Sequence, residues 1–161
     1  LLAGRGRDVP QRAGQISRPG GAVEPGGSIE DGGLRGAEEE IGLARADFRV
    51  PGRMTPLHIP ASGYVLHPVA SLAAGRPLMR AEPGEVERII EAPVAQLLDA
   101  RRHHRVNRVR DGIDFEMPYF DLDGEQVWGA TAMVLAEFAA ILGVRGSPSP
   151  ASMEAGSSDP A

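Results

Sequence analysis

Apolar and polar residues alternate in short runs over much of this chain and fall at helical spacing in three places. Leu1 to Ala3 reads as the end of a strand, and residues 4–15, with three arginines, a proline and three glycines, read as a loop. Leu34, Ala37 and Ile41 form a narrow apolar stripe that predicts a helix over residues 29–41. Ser28 stands ready to cap it, with Glu30 and Asp31 in the first turn. Gly32, Gly33 and Gly36 each cost this helix up to ~1 kcal/mol relative to alanine, so it must rely on packing. Residues 46–50 and 63–72 read as strands, the second bent or confined to an edge by Pro68, with 54–62 as the connection between them. Residues 85–91 read as a strand between prolines, and 94–98 as a short helix opening after Pro93. Three strands then follow, at 103–110, 114–120 and 126–129, with hairpin signals at Asp111-Gly112 and Asp123-Gly124. The last helix is predicted over 130–144, carrying Val134, Leu135, Phe138, Ile141 and Leu142 at helical spacing. Its opposite face is rich in alanine, which leaves room for a covering element or a homodimer.

Composition narrows the class. A chain of 161 residues is expected to form one domain, here 1–145, with a Gly/Ser/Pro/Ala tail over 146–161 too poor in apolar residues to order itself. There is no cysteine, which removes thiol catalysis and thiolate metal sites and fits a cytoplasmic protein. A net charge of −5 argues against non-specific nucleic-acid binding and for a small-molecule partner. No apolar run approaches the roughly 18 residues of a membrane span. All 17 basic residues are arginine, a bias read as a GC-rich coding background. The chain starts without methionine inside what reads as a strand, so an N-terminal portion is expected to be missing.

The chemistry concentrates between Pro19 and Leu43. A glycine-rich turn leads into the first helix, which carries Glu38, Glu39 and Glu40 in succession. Hard cations such as Mg²⁺ take carboxylate and carbonyl oxygens and share their remaining positions with water and substrate phosphates. A carboxylate one turn before Glu40 could share such an ion, but that place is held by Gly36. Taken alone, an acidic triplet is more often a solvated helix face. His58, His67, His103 and His104 lack a consistent metal-site spacing, and Trp128 is expected to pack the last helix onto the sheet.

Residues 21–43 resemble the Nudix box, G-x5-E-x7-R-E-U-x-E-E-x-G-U, where U is aliphatic. Gly21, Arg35, Ala37, Glu39, Glu40, Gly42 and Leu43 stand at matching positions, while Gly27 and Gly36 replace two glutamates. The upstream run Ala13-Gly14-Gln15-Ile16-Ser17-x-Pro19-Gly20-Gly21 is similar to the signature of the coenzyme A pyrophosphatase branch, with Arg18 at a usually aromatic position and Arg12 at a usual histidine. Glu85-Val86 after Pro83, and Val127-Trp128-Gly129-x-Thr131-Ala132, look like the same branch. The resemblance implies an α/β fold, a Nudix-type α/β/α sandwich around a mixed sheet. It also implies Mg²⁺- or Mn²⁺-dependent hydrolysis of coenzyme A to 3′,5′-ADP and 4′-phosphopantetheine. Carried over by position, Glu39, Glu40 and the Gly20 carbonyl hold the metal, and Arg35 orients the catalytic Glu39. Glu85 is a candidate distal ligand or base, and Arg5, Arg12 and the Gly21 turn face the substrate phosphates. Gly36 stands where the family commonly keeps a ligand or base, whose loss usually costs ~10² to 10⁴ in rate. Weak or absent turnover with retained binding is the expectation. The competing readings are another nucleoside diphosphate substrate, or a non-catalytic domain that binds a nucleotide or a protein.

Overall fold

The computed structural model describes residues 1–5, 16–60, 62–110 and 112–146. Two short strands open it, β1 (Leu2–Arg5) and β2 (Ile16–Ser17), followed by helix α1 (Ile29–Ile41). Next come β3 (Phe48–Arg53), β4 (Leu57–Ile59), β5 (Tyr64–Leu66), β6 (Val69–Ala73), β7 (Val86–Ile90) and the short helix α2 (Val94–Leu98). The chain continues through β8 (His103–Arg110), β9 (Ile113–Leu122), β10 (Glu125–Trp128) and helix α3 (Gly129–Gly146). The strands group as β2-β1-β7, β10-β9-β8, β3-β6 and β4-β5, and every described pairing is antiparallel.

β1 and β7 form the middle layer because successive strand residues point to opposite faces. Leu2 and Ile90 enter one core, with Ile16, Leu97, Phe120, Leu122, Val127 and Ala132, against which Leu135 and Phe138 of α3 pack. Ala3 and Ile89 face the other, built on Ala37 and Ile41 of α1 with Leu43 and Val86. A register shift between Gly4 and Arg5 pairs Gly4 with Arg88 and Arg5 with Val86, skipping Glu87. That extra residue returns Val86 to the α1 side together with Ile89. Helices thus cover both faces of the β1–β7 layer, an α/β/α arrangement.

Helix α1 matches its predicted span. Ser28 accepts the Asp31 N–H at 3.0 Å, and Gly42 closes the helix at φ 69°, its N–H reaching Glu38 O at 2.9 Å. Two further helix-end carbonyls are met from residues 80–82: Arg80 N–H donates to Ile41 O at 3.0 Å and Glu82 N–H to Glu40 O at 2.9 Å. The acidic first turn is held from outside the helix, Glu30 by Arg53 of β3 at 2.8 Å and Asp31 by Arg45.

Helix α2 and strands β7 and β8 also lie where the pattern places them. Elsewhere the structure differs. Residues 45–47 make a 3₁₀ turn, so the strand expected at 46–50 begins at Phe48 and runs to Arg53. The expected strand 63–72 is two, β5 and β6, broken at His67-Pro68, since Pro68 has no N–H to give a ladder. The connection 54–62 contains β4, which folds back on β5 as a hairpin. Trp128 is 41% exposed, while its neighbour Val127 is the residue buried beneath α3. The tail beyond residue 146 lies outside the described residues.

Candidate active site

The site is built on one face of α1 and the loop before it. Arg35 joins the two: one guanidinium nitrogen donates to both carboxylate oxygens of Glu39, at 2.9 and 3.1 Å. The other donates to the Ala22 carbonyl at 2.9 Å and lies 3.5 Å from Glu24. The Glu39 hydrogen bonds come first in raising the Arg35 pKa above its ordinary value. One side chain therefore sets both the Glu39 carboxylate, an i,i+4 neighbour, and the loop backbone. Sequence reasoning supplied the Glu39 contact; the Ala22 and Glu24 contacts depend on how the loop closes.

The three glutamates do not share an environment. Glu38 and Glu39 are exposed, whereas Glu40 is 7% exposed. The sequence pattern points all three away from the apolar stripe, but Glu40 lies one turn beyond Gly36 on the same face, and at Gly36 the loop backbone rests against that face. A Cβ on Gly36 would stand 2.1 Å from Gly21 N and 2.3 Å from Gly20 C. A Cβ on Gly32 would stand 3.0 Å from Ala22 O, and one on Gly21 would stand 2.9 Å from Gly32 O. Loop and helix meet backbone to backbone through Gly21, Gly32 and Gly36. Gly32 belongs to this contact although no local pattern marks it.

The remaining candidates are less tightly drawn in. Glu85 is exposed at the turn entering β7, its N–H on Glu82 O at 3.2 Å. Glu82 is brought closer, through the bond from its backbone to Glu40 O. Arg5 pairs with Val86 in the β1–β7 ladder, and its side chain lies outside the description; Arg12 lies outside the described residues altogether. His103 reaches Leu97 O at 2.9 Å and packs edge-on against Phe120, while His104 stacks on Tyr119. None of these histidines joins α1. Hollows of about 310 Å³, beside Arg76 and Glu91, and about 480 Å³, beside Phe48 and Leu72, are lined by other residues.

Among the described residues no group of three or more His, Cys, Asp or Glu side chains is placed to hold a metal ion. Glu39 and Glu40 with the Gly20 carbonyl thus do not make a closed protein cage. Carboxylate and carbonyl oxygens are nevertheless the donor types that Mg²⁺ takes, its remaining positions going to water and substrate phosphate.

The chain as a whole is similar to known proteins. A protein of Escherichia coli (strain SMS-3-5 / SECEC) described as "Uncharacterized Nudix hydrolase NudL" is 32% identical over 146 residues, 90% of this chain and 76% of the relative. This chain belongs to the Nudix hydrolase family. A Nudix hydrolase of the same description from Photorhabdus laumondii subsp. laumondii is 29% identical over 140 residues, 86% of this chain and 74% of that protein. No protein-family model matches the chain. Within the Nudix frame, Arg35, Glu39 and Glu40 stand at motif positions on α1, and Gly42 stands at the motif position that caps it.

Proposed function

We propose that this Nudix protein hydrolyses the pyrophosphate bond of coenzyme A or a derivative, releasing 3′,5′-ADP and 4′-phosphopantetheine. It does so with Mg²⁺ or Mn²⁺ and at a turnover lowered by glycine at 27 and 36. The observation that carries the reading is the Arg35 fork, which fixes the Glu39 carboxylate and the Ala22 carbonyl together beside a buried Glu40. A solvated acidic triplet has no need of such a joint. The run Gly14-Gln15-Ile16-Ser17 favours coenzyme A over nucleotide sugars or dinucleotides. A bound divalent ion neutralises the pyrophosphate and lowers the pKa of the attacking water. Glu39, oriented by Arg35 and open to solvent, is the carboxylate able to accept a proton from that water. Glu39 and Glu40, with the Gly20 carbonyl, are the oxygens that would hold the ion. Arg5 and Arg12 offer forks to phosphate oxygens. The setting we assign is cytoplasmic, with a small nucleotide as the ligand and neither nucleic acid nor membrane as partner; no helix among the described residues is long and apolar enough to cross a membrane.

A second reading, a domain that binds its nucleotide without turnover, is favoured by the closed packing at Gly36, which leaves no acid one turn before Glu40. Incubation with coenzyme A and Mg²⁺ or Mn²⁺ separates the two. Slow appearance of 3′,5′-ADP, abolished by EDTA, is the expected result. Calorimetric binding of coenzyme A without product would establish the second reading, and neither binding nor product would sink both.

A further inference from the structure

We infer that Gly36 is a positioning residue and not a gap left by a lost carboxylate: the Gly20–Gly21 peptide occupies the place on α1 that a side chain at 36 would fill. The distances decide this. Real Cβ atoms essentially never come within 3.0 Å of a non-bonded heavy atom, and a Cβ on Gly36 would meet Gly21 N at 2.1 Å, Gly20 C at 2.3 Å and Gly21 Cα at 2.7 Å. All three are backbone atoms, which cannot swing aside as the end of a long side chain can. The contact is also reciprocal, because a Cβ on Gly21 would fall 2.9 Å from Gly32 O and 3.3 Å from Gly36 Cα. Gly33, in the same helix, has open space around its Cβ position. Gly27, the other missing glutamate of the box, would place a Cβ 3.2 Å from Glu24 O, a contact that asks its neighbour to give by only a few tenths of an ångström.

Two consequences follow for the site. The Gly20 carbonyl, the loop oxygen assigned to the ion, is carried by the peptide that rests on Gly36, so its position depends on that residue having no side chain. Position 36 is also closed to the glutamate that would complete the box, and the helix offers its ion two carboxylates, Glu39 and Glu40. The part of this inference that concerns the ion rests on the cation reading above; the part that concerns packing does not.

The experiment compares wild type with Gly36→Ala, Gly21→Ala, Gly33→Ala and Gly36→Glu. It measures thermal midpoints and, at a temperature where each is folded, bound Mn²⁺ by electron paramagnetic resonance in the presence of ADP. Gly33→Ala raises the midpoint by gaining helix propensity and leaves Mn²⁺ affinity unchanged. Gly36→Ala, the same change three residues on, lowers the midpoint by several degrees and weakens Mn²⁺ severalfold, with Gly21→Ala doing the same from the loop side. Gly36→Glu gains no Mn²⁺ affinity. A Gly36→Ala midpoint at or above wild type overturns the packing, and so does a folded Gly36→Glu that binds Mn²⁺ more tightly. A lowered midpoint with unchanged Mn²⁺ affinity overturns the positioning role. Wild type that binds no Mn²⁺ overturns the cation reading, while the order of the Gly33 and Gly36 midpoints still judges the packing.

Discussion

Arg35 shows how much one side chain can decide. Its planar fork reaches Glu39 through one nitrogen and the Ala22 carbonyl through the other. A lysine ammonium is a point charge on a flexible stem and cannot hold both in one geometry. Arg35→Lys is therefore expected to keep the fold and its thermal midpoint nearly unchanged, because exposed pairs contribute little stability. Its coenzyme A turnover should fall by about 10²-fold, the usual cost of a carboxylate misplaced by ~1 Å. Steady-state kinetics checks this, and a variant with wild-type kcat would remove Arg35 from the catalytic arrangement. At this scale the motif residues were legible in the sequence, since Arg35 and Glu39 are four apart on a well-capped helix. The burial of Glu40 was not legible, because it depends on segments distant along the chain, such as residue 82, whose N–H meets the Glu40 carbonyl.

Among the elements, local signals succeeded where they were self-contained. Ser28, the acidic first turn and Gly42 bound α1, and Pro93 opens α2, so both helices fall where the pattern sets them. The strands around Pro68 depend on partners instead: Val69 pairs with Arg53 and Leu66 with Leu57, which puts the two halves of one apolar run into different sheets. The turn after α2 carries a pH signature of its own. Asp99 accepts side-chain hydrogen bonds from Arg101, and next the Arg101 backbone N–H, which together lower its pKa from 3.8 to about 2. The folded value lies below the unfolded one, so the stability Asp99 contributes is present above pH 3.8 and is lost as pH falls toward 2. The pair lies at the surface, where water screens it, so the contribution is small. A carbon-13 titration of the Asp99 carboxyl should give a midpoint near 2, moving up toward the ordinary value in Arg101→Ala. A wild-type midpoint near 4 would mean that the contact does not form in solution.

For the whole molecule, the core on the α3 side bears the load. Leu122, 1% exposed, sits among Leu2, Ile90, Phe120 and Val127, which belong to β1, β7, β9 and β10. Leu122→Ala should cost about 2–5 kcal/mol, the range for deleting a buried leucine side chain and leaving a cavity. Leu78, 94% exposed, is its control, and Leu78→Ala should stay within about 0.5 kcal/mol. Urea unfolding measures both, and equal midpoints for the two variants would contradict the packing described. Loss at Leu122 should carry little specific penalty at the site, because Ala37 and Ile41 of α1 pack in the separate core on the other face of the β1–β7 layer.

The sequence by itself determined the family motif, the span and N-cap of α1, the Arg35–Glu39 pair and the last helix. Each of these is specified by residues within a few positions of one another, where hydrogen bonding and helical spacing act without help from the rest of the chain. Only the tertiary structure decided that Glu40 is buried, that Val127 and not Trp128 faces α3, and that Pro68 divides two sheets. It also decided the meaning of Gly36. In the sequence this residue reads as a missing carboxylate in a locally weak helix; in the fold it is the point where the Gly20–Gly21 peptide touches α1 at a distance no side chain permits. Contacts between segments distant along the chain set that distance, and no local pattern encodes them.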